Sequence, residues 1–564
     1  MSTPRVLPCL LAVALTPTVF AQPAYCPRLD WLDRIGTDED DAIVAVASSP
    51  LRPGLVLVGT TVSEEFPTTL GTFAPLPFGV EDVVVGELHV FEPRFAWATY
   101  LGGSDSERAT DVAINAAGRI AVVGVTRSRD FPTTVASFDP SYNSDEETSG
   151  DAFLSIFDPD GRLLYSTYLG GRDVDVATTV AWDSSGRVLI GGTTRSASFP
   201  TTAGAYEETT AFGSRDAFAL IIDPAGKHAD DLVYSTILRG SDAADDEVVS
   251  QIATDHEGFL LVTGQTDAVD FPRTRDAFDI VAGGELDGFL VRIEPAGNGA
   301  ADLCYGTYLG GRKNDRVHDF VVGTDQVLTI VGDTESRDFP WRDLRSHPPP
   351  GTDGFVIRFH PGGRGPQDLH YVEIIEGDEN ETLTALAFAP DRSRDPIIVG
   401  SASRSAALPS DARTAPDDED DHAAVQQSTG AQRVTEGRGI IGRLVLSPNS
   451  RLDCFAPVQL DAVSGFVDLA TKIDGTLFVV GATSVAPEDA TSIEPGDGLV
   501  ARYFISVPGC VGDFNDDRNV DRADLVLMLE QQGPCAACVF DLDRDGIVGL
   551  RDASLLTTVW GACR

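Results

Sequence analysis

The sequence predicts an all-β protein built as a seven-bladed β-propeller, and three repeated features support this prediction. An apolar run that ends in Gly-x-Thr recurs seven times, most copies continue with Phe-Pro and a long loop, and an Asp-Gly-Phe-like strand follows. A β-rich unit with a long, nearly constant period cannot bury its apolar face alone and must stack on its neighbours, as propeller blades do. The marker glycines of the seven copies are Gly59, Gly124, Gly192, Gly264, Gly332, Gly400 and Gly481.

Each copy divides into about four short strands. In the second copy, residues 111–114, 120–124 and 151–156 form apolar or β-branched runs bounded by Gly, Pro, Asp and Asn. Runs of this kind are typical of strands joined by turns. The markers lie 65 to 81 residues apart, whereas familiar propeller blades have a period of about 40–45 residues. We therefore expect these blades to carry longer loops. We also expect the Phe-Pro residues to pack between blades rather than to bind sugar.

The motif around these strands resembles the bacterial β-propeller repeats often called SBBP repeats, in which Tyr-Leu-Gly-Gly is followed by Gly-x-Thr-x-Ser-x-x-Phe-Pro. Tyr100, Tyr168 and Tyr308 precede Leu-Gly-Gly in the copies that match closely. Phe-Pro becomes Leu-Pro at 408–409 and is lost in the seventh copy. The resemblance covers roughly residues 29–506. It implies the propeller shape, and the family carries no settled activity.

The two ends of the repeat array complement each other. Residues 29–36 match the Tyr-Leu-Gly-Gly strand of a unit without the strand that should precede it. Residues 497–503 match an Asp-Gly-Phe strand without the strand that should follow it. We therefore expect residues 22–508 to form one propeller that is closed by its N- and C-terminal strands, since an open ring would leave strand edges unpaired.

The composition indicates a strongly acidic protein. Asp and Glu number 87 against 42 Lys and Arg, which gives a net charge of -45. Such a charge argues against nucleic acid or an anionic membrane surface as the partner. The run 411–436, with five consecutive acids at 417–421, is polar and aperiodic and predicts a loop inserted in the sixth unit.

The first 21 residues have the features of a secretory signal peptide. Arg5 precedes an apolar stretch, and Val19, Phe20 and Ala21 supply apolar or small residues before the expected cleavage point. No later segment reaches the ~18 apolar residues of a membrane span. We therefore expect a secreted protein, located in the extracellular medium or at a bacterial cell surface, with no transmembrane segment.

Residues 509–564 carry two acidic loops with calcium-ligand spacing. Calcium takes six to eight oxygen ligands, and alternate carboxylates on a tightly turning loop converge on one point. We expect two calcium sites, the alternative being a pair of acidic turns without metal. The first predicted set is Asp513, Asn515, Asp517, Asn519, Asp521 and Asp524, and the second is Asp541, Asp543, Asp545, Ile547 and Asp552, with Ile547 contributing its backbone carbonyl.

The two loops, each followed by an apolar helix pattern, resemble a dockerin type I domain. The resemblance implies a small α-helical domain of two EF-hand-like loop-helix repeats that docks on a cohesin-like or other cell-surface protein. Arg518 replaces the glycine that the sharp turn of the first loop prefers, so we expect the first site to be the weaker one. The positions that would read the partner are 522–523 and 550–551, which hold Arg-Ala and Leu-Arg instead of the hydroxyl pairs of the family.

Four cysteines flank the acidic loops, namely Cys510, Cys535, Cys538 and Cys563. In an exported protein we expect disulfides, with a zinc site as the alternative. Antiparallel packing of two helices would favour Cys510 with Cys563 and Cys535 with Cys538. Pairing of Cys510 with Cys535 is the other possibility. Three further cysteines, Cys26, Cys304 and Cys454, remain in the mature propeller.

No catalytic arrangement stands out in the sequence. The eight His residues include no His-Glu-x-x-His pair, and His256 occupies a turn position of its repeat. Two functional hypotheses remain. The first is a non-catalytic scaffold or binding protein that meets a glycan or a protein on its propeller. The second is an extracellular carbohydrate-active enzyme, a glycoside hydrolase or lyase of a polysaccharide-degrading system, because domains like the C-terminal one accompany such enzymes.

Overall fold

The computed structural model contains nine β-sheets and one α-helix among the residues it describes. These residues are 28–35, 41–52, 54–89, 94–144, 149–210, 213–242, 245–339, 351–377, 380–389, 395–402, 406–408, 432–433, 439–445, 451–458, 463–471, 476–483, 498–504, 519–520, 522–530, 533–534, 547–548 and 561–562. The predicted signal peptide, Cys26 and the acidic run 417–421 lie outside these ranges.

Seven antiparallel sheets, each with four core strands, form the body of the molecule. Strand β1 (Arg28–Ile35) belongs to sheet 7. Sheet 1 contains β2 (Asp41–Ser48), β3 (Gly54–Thr61), β4 (Asp82–His89) and β5 (Phe95–Leu101); sheet 2 contains β6 (Glu107–Ile114), β7 (Ile120–Thr126), β8 (Asp151–Phe157) and β9 (Leu163–Leu169); sheet 3 contains β10 (Asp175–Trp182), β11 (Val188–Thr194), β12 (Asp216–Ile222) and β13 (Leu232–Leu238).

The remaining sheets follow the same order from inner to outer strand. Sheet 4 contains β14 (Glu247–Thr254), β15 (Leu260–Thr266), β16 (Asp287–Ile293) and β17 (Leu303–Leu309). Sheet 5 contains β18 (Asp315–Val322), β19 (Leu328–Thr334), β20 (Asp353–Phe359) and β21 (Leu369–Gly377), and it is extended by β24 (Ala406–Leu408) and β25 (Gln432–Arg433). Sheet 6 contains β22 (Glu381–Phe388), β23 (Pro396–Ala402), β26 (Gly439–Val445) and β27 (Arg451–Val458), and sheet 7 contains β28 (Val463–Thr471), β29 (Thr476–Thr483), β30 (Gly498–Phe504) and β1.

A bulge in the first strand of each sheet accounts for the marker glycines. In sheet 2 the pairing of β6 with β7 skips Thr110, and a Cβ at Gly124 would stand 2.0 Å from the carbonyl oxygen of Arg108. In sheet 4 a Cβ at Gly264 would stand 1.9 Å from the carbonyl oxygen of Val248. Backbone cannot yield to so close an approach, so the bulge leaves room for glycine alone.

The sheets pack face to face through their apolar side chains. The inner strands β2, β6, β10, β14, β18, β22 and β28 contact one another in that order, and β28 also contacts β2. The Phe residues of the Phe-Pro steps are buried in the clusters between neighbouring sheets. Phe271, for example, stacks on Phe289 with ring centroids 4.3 Å apart. The prediction that these residues pack in the core is therefore confirmed.

In sheets 1 to 4 the long loop covers the outer edge of its own sheet. In sheet 2 the N–H of Thr134 donates to the carbonyl of Ser166 at 3.0 Å, and the N–H of Tyr168 donates to the carbonyl of Asp139 at 3.0 Å. Equivalent bonds occur in sheets 1, 3 and 4. An exposed outer strand invites pairing with another chain. The extra length of the repeat is thus used to cover that edge.

Strands from both ends of the chain lie side by side in sheet 7. Strand β1 pairs antiparallel with β30, with Leu29 opposite Tyr503 and Ile35 opposite Gly498. The register shifts once, between Leu29 and Trp31.

The predicted fold class nevertheless needs correction. The prediction was a single seven-bladed propeller closed by its terminal strands, with a small α-helical domain. The structure has seven separate sheets in a propeller-like all-β arrangement that no strand ladder closes into one unit, because neighbouring sheets meet through side chains and loops.

The expected α-helical C-terminal domain is also wrong. Among the residues described after position 508 there is one helix, α1 (Arg522–Glu530), together with β31 (Asn519–Val520), β32 (Gly533–Pro534), β33 (Ile547–Val548) and β34 (Gly561–Ala562). Strand β31 pairs with β34, and β32 pairs with β33. These short strands connect the first predicted loop-helix repeat with the second. The described part of residues 509–564 therefore contains paired strands as well as one helix.

Candidate functional site

The predicted calcium ligands lie almost entirely outside the described residues. This holds for Asp513, Asn515, Asp517, Asp521, Asp541, Asp543, Asp545 and Asp552, and for the cysteines Cys510, Cys535, Cys538 and Cys563. Asn519, Asp524 and Ile547 are described only through their backbone, in β31, α1 and β33 respectively. Among the residues that the structure describes, no three His, Cys, Asp or Glu side chains come together in a way that could hold a metal ion. The two calcium sites and the disulfides stay predictions.

The backbone does connect the two predicted loops with each other's repeat. Asn519 pairs with Ala562, and Ile547 pairs with Pro534. The middle of the first loop therefore pairs with the end of the second repeat, and the middle of the second loop pairs with the segment after α1. Each repeat depends on the other for these backbone hydrogen bonds.

Buried pairs of carboxylates are a regular polar feature of the sheets, and they lie where one sheet meets the next. Between sheets 4 and 5, Oδ2 of Asp287 accepts a hydrogen bond from the N–H of Gly283 at 2.8 Å. Oδ2 of Asp315 accepts from the N–H of Gly311 at 2.6 Å and from the hydroxyl of Ser336 at 2.7 Å. The Oδ1 atom of each carboxylate is buried.

The same pair recurs at four successive junctions. In each pair the first acid opens the third strand of one sheet, the second acid opens the inner strand of the next sheet, and the charge of the first raises the pKa of the second. We call them the junction carboxylates: Asp82 with Glu107, Asp151 with Asp175, Asp216 with Glu247, and Asp287 with Asp315. Their repetition shows that they belong to the construction of the repeat.

The repeat motif is shaped around the junction carboxylates. A Cβ at Gly102, the first glycine of Leu-Gly-Gly, would stand 1.9 Å from Oδ1 of Asp82 and 2.6 Å from Oε2 of Glu107. The threonine of Gly-x-Thr-x-Ser also takes part, since the Thr126 hydroxyl donates to Oε1 of Glu107 at 2.6 Å. Leu-Gly-Gly thus leaves space for the acid pair, and the threonine of Gly-x-Thr-x-Ser donates a hydrogen bond to it.

The junction carboxylates are hard to ionise. Burial raises the pKa of Asp315 to about 7 and that of Asp287 to about 6, and hydrogen-bond donors offset only part of this effect. Burial likewise raises the pKa of Asp175 to about 7 and that of Glu247 to about 8. Desolvation and a facing carboxylate both disfavour the charged form. Asp175, Glu247, Asp287 and Asp315 therefore keep a larger protonated fraction near neutral pH than ordinary carboxylates do.

A second set of carboxylates lies on the inner strands, one residue after the bulge. Asp111, Asp319 and Asp468 are half-buried, and Oδ2 of each accepts a hydrogen bond from a backbone N–H of the following sheet. The donors are Val180, Leu386 and Val46, at 2.8, 2.8 and 2.7 Å. We call these three the inner-strand carboxylates, and each ties its sheet to the next.

The inner-strand carboxylates influence one another. Burial raises the pKa of Asp111 to about 7 and that of Asp319 to about 6, and it raises the pKa of Asp468 well above its ordinary value. The charges of Asp111 and Asp319 add to the rise at Asp468. Asp319 also accepts a hydrogen bond from the side-chain amide of Gln251 at 2.9 Å. The inner-strand carboxylates therefore form a polar set on the inner strands, and each accepts a hydrogen bond from a backbone N–H.

Tyrosine–aspartate contacts join three neighbouring pairs of sheets farther out. Each tyrosine hydroxyl donates to a buried aspartate of the next sheet at 3.0 Å, and each aspartate lies in a short 3-10 turn. The pairs are Tyr165 with Asp231, Tyr234 with Asp302, and Tyr305 with Asp368. These side chains are also used for assembly of the sheets.

Two of the described histidines, His256 and His318, contact other residues of the sheets. His256 lies in the predicted turn, with Nε2 3.2 Å from the carbonyl oxygen of Gly323. His318 occupies the bulge of β18, and its Nε2 lies 2.5 Å from Oδ2 of Asp333. Oδ1 of Asp333 also binds Arg316 at 3.1 Å. Sequence reasoning missed the contact between His318 and Asp333, since the two residues belong to different strands.

Sequence reasoning also missed both carboxylate sets. Acids are so abundant in this chain that single Asp and Glu residues carried no signal. A positional signal did exist, because Glu107, Asp175 and Asp315 each follow the first glycine of Leu-Gly-Gly by five residues. The inner-strand carboxylates had no such signal, since their position depends on the bulge.

Comparison with known proteins adds the following. No protein-family model matches the chain, and no curated protein matches it. The hydrazine synthase of Kuenenia stuttgartiensis has a TM-score of 0.40 and 9% identity, covering 79% of this chain and 94% of that chain. A luciferin-regenerating enzyme has a TM-score of 0.32 and 8% identity, covering 85% and 95%. At these values the likeness carries no functional argument.

A third solved structure is an acylaminoacyl peptidase in complex with Z-Gly-Gly-Phe-chloromethyl ketone. Its TM-score is 0.37 and its identity 8%, covering 82% of this chain and 51% of that chain, so this chain spans about half of that protein. Among the helices that the structure describes, none has the length and apolar character needed to cross a membrane.

Proposed function

We propose that this protein is an exported, non-catalytic binding scaffold, located in the extracellular medium or at a bacterial cell surface. Its sheets present a surface for a glycan or protein partner, in keeping with the SBBP-like repeats in the sequence. Its C-terminal segment binds two calcium ions and docks on a cohesin-like or other cell-surface protein. The cofactor in this proposal is Ca²⁺, and it rests on the oxygen ligands of the two acidic loops.

The observation that carries this proposal is the equal use of polar residues from sheet to sheet. The junction carboxylates, the hydroxyls around them and the tyrosine–aspartate pairs recur at matching positions and bond to the protein itself. An active site needs an arrangement that differs from its neighbours, because one reaction is performed at one place. Residues used alike at successive junctions favour a scaffold.

The test uses the full exported chain on a glycan and protein array, with and without calcium, beside a turnover assay on a panel of polysaccharides. The proposal expects capture of a ligand without release of reducing sugar. It also expects calcium-dependent association with the cell surface, because ligand binding and docking belong to different parts of the chain. Combined replacement of Asp513 and Asp541 by Ala should remove the association and leave ligand capture intact.

A glycoside hydrolase or lyase would give the opposite result. Turnover that copurifies with the protein, and that disappears when a single Asp or Glu of the sheets is replaced, would overturn the proposal. Cell-surface association that is unchanged by chelator would overturn its calcium-dependent part alone.

A further inference from the structure

An open pocket of about 440 Å³ lies at the loop that joins β15 to β16. Tyr206 of the preceding sheet and Ile280 form apolar parts of its wall. Asp270, Arg273, Thr274 and Arg275 supply its polar side chains. Ligand sites commonly combine such a concave, partly apolar wall with a few polar groups that fix orientation.

The pocket lies where the repeat changes its sequence. The segment after Phe-Pro reads Thr-Thr-Val at 133–135 in sheet 2 and Thr-Thr-Ala at 201–203 in sheet 3. In sheet 4 it reads Arg-Thr-Arg at 273–275. Thr274 keeps the shared role, since its N–H donates to the carbonyl of Gly306 at 2.9 Å, just as Thr202 does to Ser235 at 3.1 Å. The backbone is preserved, and the two flanking side chains have become cationic.

The two arginines are not neutralised by an ion pair. Arg273 donates one hydrogen bond, from Nη1 to the carbonyl oxygen of Phe271 at 3.3 Å. Within the described part of the chain, neither Arg273 nor Arg275 lies in an ion pair with an acid. The carboxylate of Asp270, which also lines the pocket, accepts from the N–H of Ser241 at 3.0 Å and from its hydroxyl. These hydrogen bonds and, to a smaller extent, the charge of Arg273 lower the pKa of Asp270, so Asp270 leaves the guanidinium N–H donors free for a ligand. Both guanidinium groups therefore keep N–H donors for a ligand.

We propose that this pocket binds a saccharide that bears a carboxylate, such as a uronic acid residue of a polysaccharide. The planar guanidinium group matches a carboxylate with two parallel hydrogen bonds. The ring of Tyr206 offers an apolar face with a polar end, which suits a sugar ring. This inference rests on the proposed binding function and names the ligand class for it.

The overall charge narrows the ligand further. A strongly acidic protein repels a densely charged polyanion over distances of about 8–10 Å at moderate salt. A single carboxylate can instead be bound locally by Arg273 and Arg275. The pocket therefore selects isolated carboxylates over heparin-like polyanions.

The experiment measures binding of methyl glucuronoside to the full chain by calorimetry or ligand-observed NMR, with methyl glucoside as the neutral comparison. Arg273→Thr and Arg275→Val install the residues that sheet 2 carries at these positions, so both variants should fold. Val135, which stands at the position of Arg275, is 98% exposed, so a valine there is compatible with the backbone. The double variant should bind methyl glucuronoside at least about tenfold more weakly.

The matched control for each single replacement is Arg119→Thr, which removes one positive charge from the exposed turn between β6 and β7. It should leave glucuronoside binding unchanged. Equal binding by the wild type and the double variant, equal affinity for glucuronoside and glucoside, or stronger binding of a sulfated polyanion would each overturn this inference. Capture of another ligand on the array, together with any of these results, would leave the proposed binding function standing.

Discussion

The acids of the sheets and the acids of the C-terminal segment are arranged in opposite ways. The junction carboxylates come from different strands, are buried, and receive hydrogen bonds from backbone N–H groups and hydroxyls. The acids of residues 513–524 and 541–552 alternate along one short stretch of chain. Alternation along a loop brings oxygens to one point for a cation, whereas isolated acids at strand ends bind donors of the protein itself.

This difference separates two uses of negative charge in one chain. At the junction of sheets 4 and 5, burial raises the pKa of Asp315 and Asp287, which favours the protonated and uncharged form of these carboxyl groups. In the C-terminal segment we expect the carboxylates to stay ionised and to be balanced by calcium. The following three predictions test this contrast, from the largest expected effect to the smallest.

Gly310→Ala should disrupt the junction between sheets 4 and 5. The added Cβ would stand 2.0 Å from Oδ1 of Asp287, and this carboxylate is buried. We expect a loss of about 3 kcal/mol in the free energy of unfolding, as for other overpacked cores. Denaturant unfolding measures the effect. The control is Gly186→Ala, where the backbone φ is +82° and no atom lies within 4 Å of the new Cβ, so that only the conformational cost of about 1 kcal/mol applies. Equal losses in both variants would contradict the packing argument.

Asp541→Ala should weaken calcium binding more than Asp513→Ala does. Arg518 occupies the turn position of the first loop that glycine prefers, so the second loop is expected to hold the ion more tightly. We expect about tenfold weaker binding at the tighter site for Asp541→Ala and little change there for Asp513→Ala. Calcium titration of the full chain measures both. A wild-type chain that binds no calcium would contradict the contrast, because the acids of the C-terminal segment would then bind no cation either.

Asp315→Asn should stabilise the protein at alkaline pH. The amide keeps an acceptor for Gly311 and Ser336 and offers an N–H donor toward Asp287. An unfolded aspartate titrates near pH 3.9, whereas the pKa of Asp315 is raised to about 7 in the folded protein. The folded state therefore binds an extra proton between about pH 4 and 7, and the stability that this group contributes falls as the pH rises through that window.

The variant lacks this titration, so its stability should fall less than that of the wild type between pH 4 and 7. At pH 8 it should exceed the wild type by about 1 kcal/mol, the value of one buried hydrogen bond. Thermal unfolding across the pH range measures the difference. Asp230→Asn, at an exposed turn position, is the control and should leave the profile unchanged. A variant that is less stable than the wild type at every pH would contradict this account, because the loss would then be independent of the ionisation of the pair.

The sequence predicted the strands and the repeat well because these depend on local pattern. Residues 120–124 and 151–156 were expected as strands and lie in β7 and β8. The burial of Phe131 and the turn at His256 were also predicted correctly. These features are set by apolar runs and by Gly and Pro positions within one repeat.

The features that the sequence did not predict depend on contacts between repeats. Asp287 and Asp315 meet only because two sheets stack, and nothing in either segment alone marks the other as its partner. Asp319 contacts the next sheet because a bulge at His318 changes the register of β18. The corrected fold class has the same cause, since whether sheets join by strand ladders or by side chains is decided between repeats rather than within them.

The pairing of β1 with β30 also affects how the chain reaches its native state. Leu29 and Tyr503 come from nearly opposite ends of the sequence, yet they are neighbours in sheet 7. Sheets 1 to 4 are built from consecutive segments and can form as the chain emerges, whereas in sheet 7 the first strand of the chain pairs only after β30 has been made. Closing so long a loop is entropically costly and slow. The edge of β30 is therefore the last to be covered, and until then it is the place where a newly made chain is most open to pairing with another copy.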